Sequence, residues 1–115
     1  MLVRPARKDD VIAFRGQPYK ESFKGIVAEM DGRVLAIAGV LHTQPLQAFS
    51  SIEQEIKNHP KTVVVMIKKM KEILSTYGDS PIFATANPNE QTAPGLLKHA
   101  GFEYYQEGVY RWVIQ

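Results

Sequence analysis

An Asp-Gly pair between two β-rich runs is the feature that most restricts how this chain can fold. The runs are residues 25–30 and Arg33–Leu41, with Asp31 and Gly32 between them. A two-residue connection of this kind tolerates a type I′ turn, whose twist matches that of paired strands. The pattern predicts an antiparallel hairpin. Leu46–Ile52 is predicted to add a third strand to the same meander.

A long amphipathic helix is predicted over residues 61–77. Apolar side chains recur on one stripe at helical spacing, whereas lysines lie off the stripe. The stripe consists of Val63, Met66, Ile67, Met70, Ile73, Leu74 and Tyr77. Its three consecutive valines favour a strand locally, but the stripe persists for about four turns at 3.6 residues per turn, which outweighs a weak propensity. Gly78 is predicted to end the helix.

Shorter elements surround this helix and complete the order β-α-β-β-β-α-β-α-β-β. Pro5 ends the first strand because it restricts the residue before it, and Gly101 suits the end of the last helix. The predicted strands are 2–4, 81–86, Phe102–Gln106 and 109–114, and the predicted helices are 8–14 and 89–100. The polar stretch 53–61, with its Asn-His-Pro breaker, is predicted to be irregular.

The composition limits the function classes. A chain of 115 residues with 44% apolar and 23% charged residues fits one domain, 1–115, with one core. The net charge of +2 gives little attraction for nucleic acid, and the lack of cysteine excludes disulfides, thiolate metal sites and a cysteine nucleophile. Apolar runs are too short to span a membrane, and the first residues lack the apolar region of a signal peptide. A cytoplasmic protein, or one carried in a virion, is expected.

Four stretches in the chain also follow one another in a familiar order. They are Val-Arg-Pro-Ala at 3–6 followed by Asp10, the hairpin 27–34, Asn89 leading a helix that ends in Gly101-Phe102, and the strand Val109–Trp112. With the element order, they resemble the GNAT superfamily of acetyl-CoA-dependent N-acyltransferases, with its second N-terminal helix missing. The resemblance covers nearly the whole chain. It implies an α+β fold around one central mixed sheet, and an amine or protein substrate.

The segment before the long helix differs from the glycine-rich phosphate loop of that family. Where the family has Gln/Arg-x-x-Gly-x-Gly/Ala, this chain has Lys-Asn-His-Pro-Lys-Thr at 57–62. Pro60 contributes no N–H, although it is favoured at a first helical position, where the amides of the first turn still face an anion. The residues that the resemblance implies for acetyl-CoA are Ile52, Lys57, Asn58, Lys61, Thr62, Val63 and Asn89. The alternative is an ordinary proline-initiated helix with solvated lysines.

The catalytic residues are less clearly marked. Leu97 occupies the position where the family carries the tyrosine that acts as general acid. Tyr110 is therefore the candidate general acid in this chain, with Tyr104 and Tyr105 as alternatives. Glu53 is the candidate base because it follows the strand that should line the thioester. Glu29 and Glu55 are the other candidates. Each of these tyrosines also fits a packing role, and each carboxylate a solvated surface position.

Two functions therefore stay open at this point. The first is acyl transfer from acetyl-CoA to an amine or protein, weakened by the altered loop. The second is a non-catalytic GNAT-like module with virion partners, because the layout after Leu46 is also similar to the GNAT-like internal virion proteins of short-tailed phages. His42, His59 and His99 lack metal-ligand spacing, so no metal is expected. No Gly-x-Ser-x-Gly, Walker or Rossmann pattern occurs.

Overall fold

Seven strands form one mixed sheet in the computed structural model, which describes residues 1–85 and 97–112. The strands are β1 (Leu2–Pro5), β2 (Phe23–Met30), β3 (Arg33–Leu41), β4 (Leu46–Ile52), β5 (Ile82–Thr85), β6 (Phe102–Gln106) and β7 (Val109–Trp112). Their spatial order is β1-β2-β3-β4-β5-β7-β6. β4 and β5 run parallel, and the other neighbouring pairs are antiparallel. The predicted mixed sheet is confirmed.

Two α-helices lie among the described residues. They are α1 (Lys8–Arg15) and α2 (Pro60–Ser75), and residues 97–99 are also helical. α1 ends at Gly16, whose φ of 81° is left-handed. α2 begins with Pro60 at a first-turn position, one residue earlier than predicted, because the fixed φ of proline suits helix entry. Its C-cap is Thr76, so Gly78 was the wrong residue for its end.

The predicted hairpin joins β2 to β3. Asp31 has a φ of 52° and Gly32 a φ of 80°, which are the two positive values that a type I′ turn requires. The bulge between Ala28 and Glu29 shifts the register near the turn. The hairpin and the third strand of the meander are confirmed.

The sheet carries a hydrophobic cluster on each face. α2 covers the larger one with the stripe predicted from the sequence, and Leu97 and Ala100 pack against the same cluster. The buried residues that α2 contributes are Met66, Met70, Ile73 and Leu74. On the opposite face, Val11 of α1 packs with Val27 and Ile37. Each central strand thus sends alternate side chains to both clusters, as a sheet covered on two faces requires.

The segment between β4 and α2 is more ordered than the sequence indicated. Gln54–Asn58 forms a 3₁₀ helix within the stretch predicted to be irregular. Ile56 anchors the 3₁₀ helix, because Ile56 is buried in the larger hydrophobic cluster. This cluster, which α2 covers, is termed the α2-side cluster. A short 3₁₀ turn shows no amphipathic repeat, so periodicity could not detect it. The remaining strand and helix boundaries coincide with the predicted ones or differ by at most two residues. Ala86, most of 89–100 and residues 113–114 lie outside the described residues.

Candidate functional site

The parallel ladder between β4 and β5 is very short. Leu46 pairs with Ile82 and Gln47 with Phe83, and no further pair joins the two strands within the described residues. β4 continues to Ile52, where it is still paired with β3, whereas β5 continues along β7. Parallel pairing is what a helical crossover between these two strands requires. Beyond Gln47, the β5 side of β4 therefore has backbone groups that no described residue pairs, and such groups can pair with an extended ligand. This unpaired edge of β4, residues 48–52, is termed the gap.

Ile52 and Glu53 lie at the C-terminal end of β4, beyond the last residue that pairs with β5. Ile52 is 39% exposed. The backbone N–H of Glu53 donates to the carbonyl of Leu35 at 2.8 Å, so the main chain is fixed to β3 while the Glu53 residue is exposed. The structure thus places the candidate base beside the gap. It forms no ion pair with a described residue.

The first turn of α2 has fewer backbone N–H groups free to bind an anion than we expected from the sequence. The N–H groups of Thr62 and Val63 both donate to the carbonyl of His59, at 3.1 and 3.3 Å. Pro60 has no N–H, so the amide of Lys61 is the remaining donor of this turn. The expectation that three amides face an anion here is wrong for Thr62 and Val63. His59, the N-cap, supplies the acceptor that occupies them.

The side chains of this segment are charged and accessible. Lys57, Asn58 and Lys61 are exposed, and Thr62 and Val63 are half-buried. Val63 packs against the α2-side cluster, which makes it a core residue as well as a candidate contact. Lys57 and Lys61 thus bring two ammonium groups to the end of the sheet at which the gap opens. Asn89, the last predicted cofactor contact, lies outside the described residues.

Tyr110 lies on the strand next to β5. It pairs with Ala84, the first β5 residue beyond the β4–β5 ladder, and is 8% exposed within the α2-side cluster. Its ring meets that of Tyr104 edge to face, with the centroids 6.0 Å apart. Leu97 is half-buried on the same side of the sheet. Tyr110 is thus the described tyrosine that lies nearest in the strand register to the gap, and Tyr104 and Tyr105 are exposed.

The two alternative carboxylates are held by arginines. Glu29 accepts a hydrogen bond from Arg4 at 2.8 Å, and Glu55 forms an ion pair with Arg33. Both pairs join residues far apart in the chain, so sequence spacing did not reveal them. Of the three candidate bases, Glu53 is therefore the one that has no ionic partner among the described residues.

A second polar cluster lies at the other end of the sheet. The hydroxyl of Ser22 and the Nδ1 atom of His42 are 2.8 Å apart, and the Nε2 atom of His42 lies 2.8 Å from the hydroxyl of Tyr77. Burial raises the pKa of Tyr77, so its hydroxyl stays protonated at neutral pH. These contacts connect three segments, which lie before β2, after β3 and after α2. The cluster therefore has a structural role.

Two surface concavities are present away from the gap. One, of about 470 Å³, lies between β1 and the β2–β3 turn, and the other, of about 250 Å³, lies between α1 and the segment leading to β2. Neither contains Glu53, Lys61 or Tyr110. Among residues 1–85 and 97–112, no group of three His, Asp or Glu side chains is placed to hold a metal ion.

Solved structures with the same architecture identify the fold. The ribosomal-protein-S18-alanine N-acetyltransferase of Escherichia coli matches with a TM-score of 0.71 at 11% identity, over 99% of this chain and 94% of that chain. A GNAT acetyltransferase of Streptococcus pneumoniae matches with a TM-score of 0.65 at 14% identity, over 96% and 95%. A spermidine N-acetyltransferase chimera from Vibrio cholerae matches with a TM-score of 0.59 at 12% identity, over 99% and 96%.

These likenesses show that the chain has the GNAT fold. No protein-family model matches the sequence, and no curated protein matches it. The expected resemblance is therefore confirmed for the fold, and the residues of the gap carry the argument for function. None of the described helices is both long enough and apolar enough to cross a membrane.

Proposed function

We propose that this protein transfers an acyl group from a pantetheine thioester to a primary amine, on a small molecule or at a protein N-terminus. The observation that carries the proposal is the end of the β4–β5 ladder at Gln47, which leaves one side of β4 unpaired within the described residues. A pantetheine arm has amide groups that can pair with such an edge as a short extra strand does.

The residues around the gap fit part of acetyl-CoA. Ile52 and the backbone of β4 would hold the arm, and Lys57, Asn58 and Lys61 would attract the phosphates. The pyrophosphate cradle itself does not fit, because Thr62 and Val63 already donate to His59 and Pro60 has no N–H. When bound, the thioester supplies an activated acyl carbon.

Two residues of the chain supply the proton chemistry. Glu53 accepts the proton of the amine, directly or through one water, because it is exposed directly after the end of β4. Tyr110 is the donor for the departing sulfur, because it lies one strand away from the point where the gap begins. The S18-alanine and spermidine acetyltransferases of the same fold supply the two acceptor types to test, an alanine N-terminus and a polyamine.

The second candidate function is a GNAT-like module without chemistry, including a virion protein. The specific observation in its favour is that the amides of Thr62 and Val63 already donate to His59. In addition, Leu97 stands at the position where the resemblance implies the general-acid tyrosine. A binding module needs neither a phosphate cradle nor a proton donor. Thioester turnover therefore decides between the two candidates.

The test is an acetyl-transfer assay with acetyl-pantetheine and acetyl-CoA as donors, and spermidine and an N-terminal alanine peptide as acceptors. We expect amine-dependent thiol release that Glu53→Gln lowers by about 10²–10³-fold. Glu55→Gln is the matched control because this carboxylate is already paired with Arg33. If no donor and acceptor pair gives turnover above the buffer rate, the non-catalytic function replaces the proposal.

A further inference from the structure

We infer that the acyl donor is a phosphopantetheine arm carried on an acidic protein, and that the outer face of α2 docks that protein. This inference rests on the proposed function, since it names the donor of the same gap. The gap suits the pantetheine arm of CoA, but the first turn of α2 lacks the N–H donors that the pyrophosphate of CoA would need. A carrier-bound arm has one phosphodiester in place of the pyrophosphate and no nucleotide.

The outer face of α2 has the composition of a protein-binding surface. Lys61, Val64, Val65 and Lys68 follow one another at i, i+3, i+4 and i+7, so they share one side of the helix. Val64 is 51% and Val65 42% exposed, and both lysines are exposed. The buried stripe of Met66, Met70, Ile73 and Leu74 lies on the opposite side. Val64 and Val65 lie between the two lysines, so this face fits a partner surface on which apolar residues are surrounded by acidic ones.

The charge of this region has one sign. Residues 56–71 include five lysines and no acidic residue, although the whole chain has a net charge of only +2. Glu72 is the first acid along α2, and Glu55, before the segment, is paired with Arg33. The positive field is thus concentrated on α2 and the turn before it, which attracts an acidic partner to this side of the molecule.

The position of this face selects the partner. β4 ends where the gap ends, at Ile52, and α2 starts at the same end of the sheet and runs back along it, as a crossover between parallel strands must. An acidic protein on the outer face of α2 therefore stands beside the mouth of the gap. An anionic membrane or a nucleic acid would match the charge but would bring no thioester to β4.

The reaction conserves atoms and electrons with this donor. The amine nitrogen forms a bond to the acyl carbon, and the bond from that carbon to the sulfur of the arm breaks. The nitrogen loses one proton, and the sulfur of the arm gains one. No oxidant or reductant takes part.

The test measures binding and transfer separately. Binding is followed by calorimetry with an acidic acyl carrier protein whose arm bears an acetyl group through a non-cleavable amide. Transfer is followed with the acetyl thioester on the same carrier and with free acetyl-pantetheine. The variant is Lys68→Glu/Lys69→Glu, which reverses two exposed charges of α2 outside the gap. Lys20→Glu/Lys24→Glu makes the same charge change at exposed positions elsewhere and is the control.

We expect the α2 variant to weaken carrier binding by about tenfold or more, and the control to leave it within about threefold. Transfer from free acetyl-pantetheine should be unchanged in both variants, so a loss confined to the carrier supports the inference. Lys68→Gln/Lys69→Gln, which removes charge without adding repulsion, should show a smaller loss in the same direction. Both double variants are checked for native circular dichroism.

Three results would overturn the inference. They are equal binding of the carrier by wild type and the α2 variant, no carrier binding by wild type, and tighter binding of phosphatidylglycerol vesicles or a single-stranded oligonucleotide than of the carrier. Each leaves transfer from free acetyl-pantetheine as an independent measurement. The proposed function fails only if that transfer is also absent.

Discussion

Arg4 holds Asp10 with two hydrogen bonds, from Nη1 to Oδ2 at 2.9 Å and from Nη2 to Oδ1 at 2.8 Å. The same guanidinium reaches Glu29 of β2 through Nε. The backbone N–H of Arg7 also donates to Asp10, at 2.7 Å. One buried carboxylate thus joins β1 to the start of α1, while its arginine joins both to the central hairpin.

Replacing Asp10 should therefore destabilise the fold. Asp10→Asn removes the charge that Arg4 faces in a largely buried site, and we expect a loss of about 3 kcal/mol in the free energy of unfolding. Asp9→Asn is the matched control: Asp9 is exposed on the same helical turn, so its loss should be about 0.5 kcal/mol from the helix dipole alone. Urea denaturation of the three proteins measures both values. Equal losses would show that the Arg4–Asp10 contact contributes nothing.

The same contact predicts how stability depends on acid. Hydrogen bonds from Arg4 lower the pKa of Asp10 below its usual value, against the opposing effect of burial. The folded-state pKa is then below the unfolded one, so the stabilisation is complete well above about pH 4 and is lost as the pH falls through the folded value. Wild type and Asp10→Asn should approach each other in stability as the pH falls below about 4. A stability difference that does not narrow as the pH falls below this value would contradict this assignment.

The elements with local signals were predictable from the sequence. The hairpin followed from Asp31 and Gly32, because the turn type depends on the positive φ that these residues tolerate. The α2 helix followed from its stripe, and the buried Met66, Met70, Ile73 and Leu74 belong to that stripe. The parallel pairing of β4 with β5 followed from the helix between them.

Contacts between distant residues were not predictable in the same way. Ser22 and His42 are separated by 20 positions, and His42 and Tyr77 by 35. The pairing of Glu55 with Arg33 likewise spans 22 positions and depends on the 3₁₀ helix. The amides of Thr62 and Val63 were misjudged because a helix that begins at Pro60 directs the N–H of Val63 to His59 as its first i to i−4 bond, and Thr62 shares this acceptor.

Gly39 lies opposite Gly25, where β2 and β3 leave no room for a Cβ. It pairs with Gly25, and a Cβ built on Gly39 would lie 2.8 Å from the Cα of Gly25 and 2.9 Å from the ring of Phe49, and would also meet the carbonyl of Lys24. Two of these contacts are with backbone, which cannot move without breaking the ladder. Gly39→Ala should therefore cost about 2–3 kcal/mol.

The control for this substitution is Gly108→Ala. Gly108 has a φ of 75° and nothing within 4 Å of a built Cβ, so alanine there costs about 1–2 kcal/mol of backbone strain without a clash. Thermal unfolding of both variants compares the two effects. A Gly39→Ala protein that is as stable as wild type would mean that the strands separate at this point without penalty.

Tyr77 should make stability sensitive to alkali. Burial raises its pKa above the ordinary value near 10, so the folded state resists ionisation that the unfolded chain undergoes. The contribution is complete below about pH 10 and is lost as the pH rises through the folded value. Tyr77→Phe removes the hydroxyl that lies 2.8 Å from His42 and should cost about 1 kcal/mol at pH 7, with a smaller difference at pH 11.

Tyr104→Phe provides the comparison, because Tyr104 is 64% exposed. Its effect on the free energy of unfolding should stay within about 0.5 kcal/mol at pH 7. Guanidinium denaturation at pH 7 and pH 11 tests both tyrosines. A Tyr77→Phe protein whose deficit grows with pH would reverse the assigned direction of the pKa.

Repairing the first turn of α2 should restore binding of CoA. In Pro60→Gly/Thr62→Gly, glycine returns an N–H at position 60 and frees the backbone from the turn that directs Thr62 to His59. Stability should fall by up to about 1 kcal/mol for each added glycine. One recovered charge-assisted hydrogen bond is worth about 1.5–3 kcal/mol, so calorimetry should show an affinity for CoA about ten to a hundred times that of wild type.

Wild type itself gives the baseline for this repair. A ligand at a hundred times its dissociation constant stabilises its protein by about 2.7 kcal/mol, and we expect almost no melting shift of wild type with micromolar acetyl-CoA. Pro60→Ala separates the two effects of the repair, because it returns the N–H without the freedom of glycine. If alanine gains affinity as glycine does, the missing donor was the defect. If the folded double variant binds CoA no better than wild type, residues 57–62 are a helix cap, and the lysines before and within α2 serve another ligand.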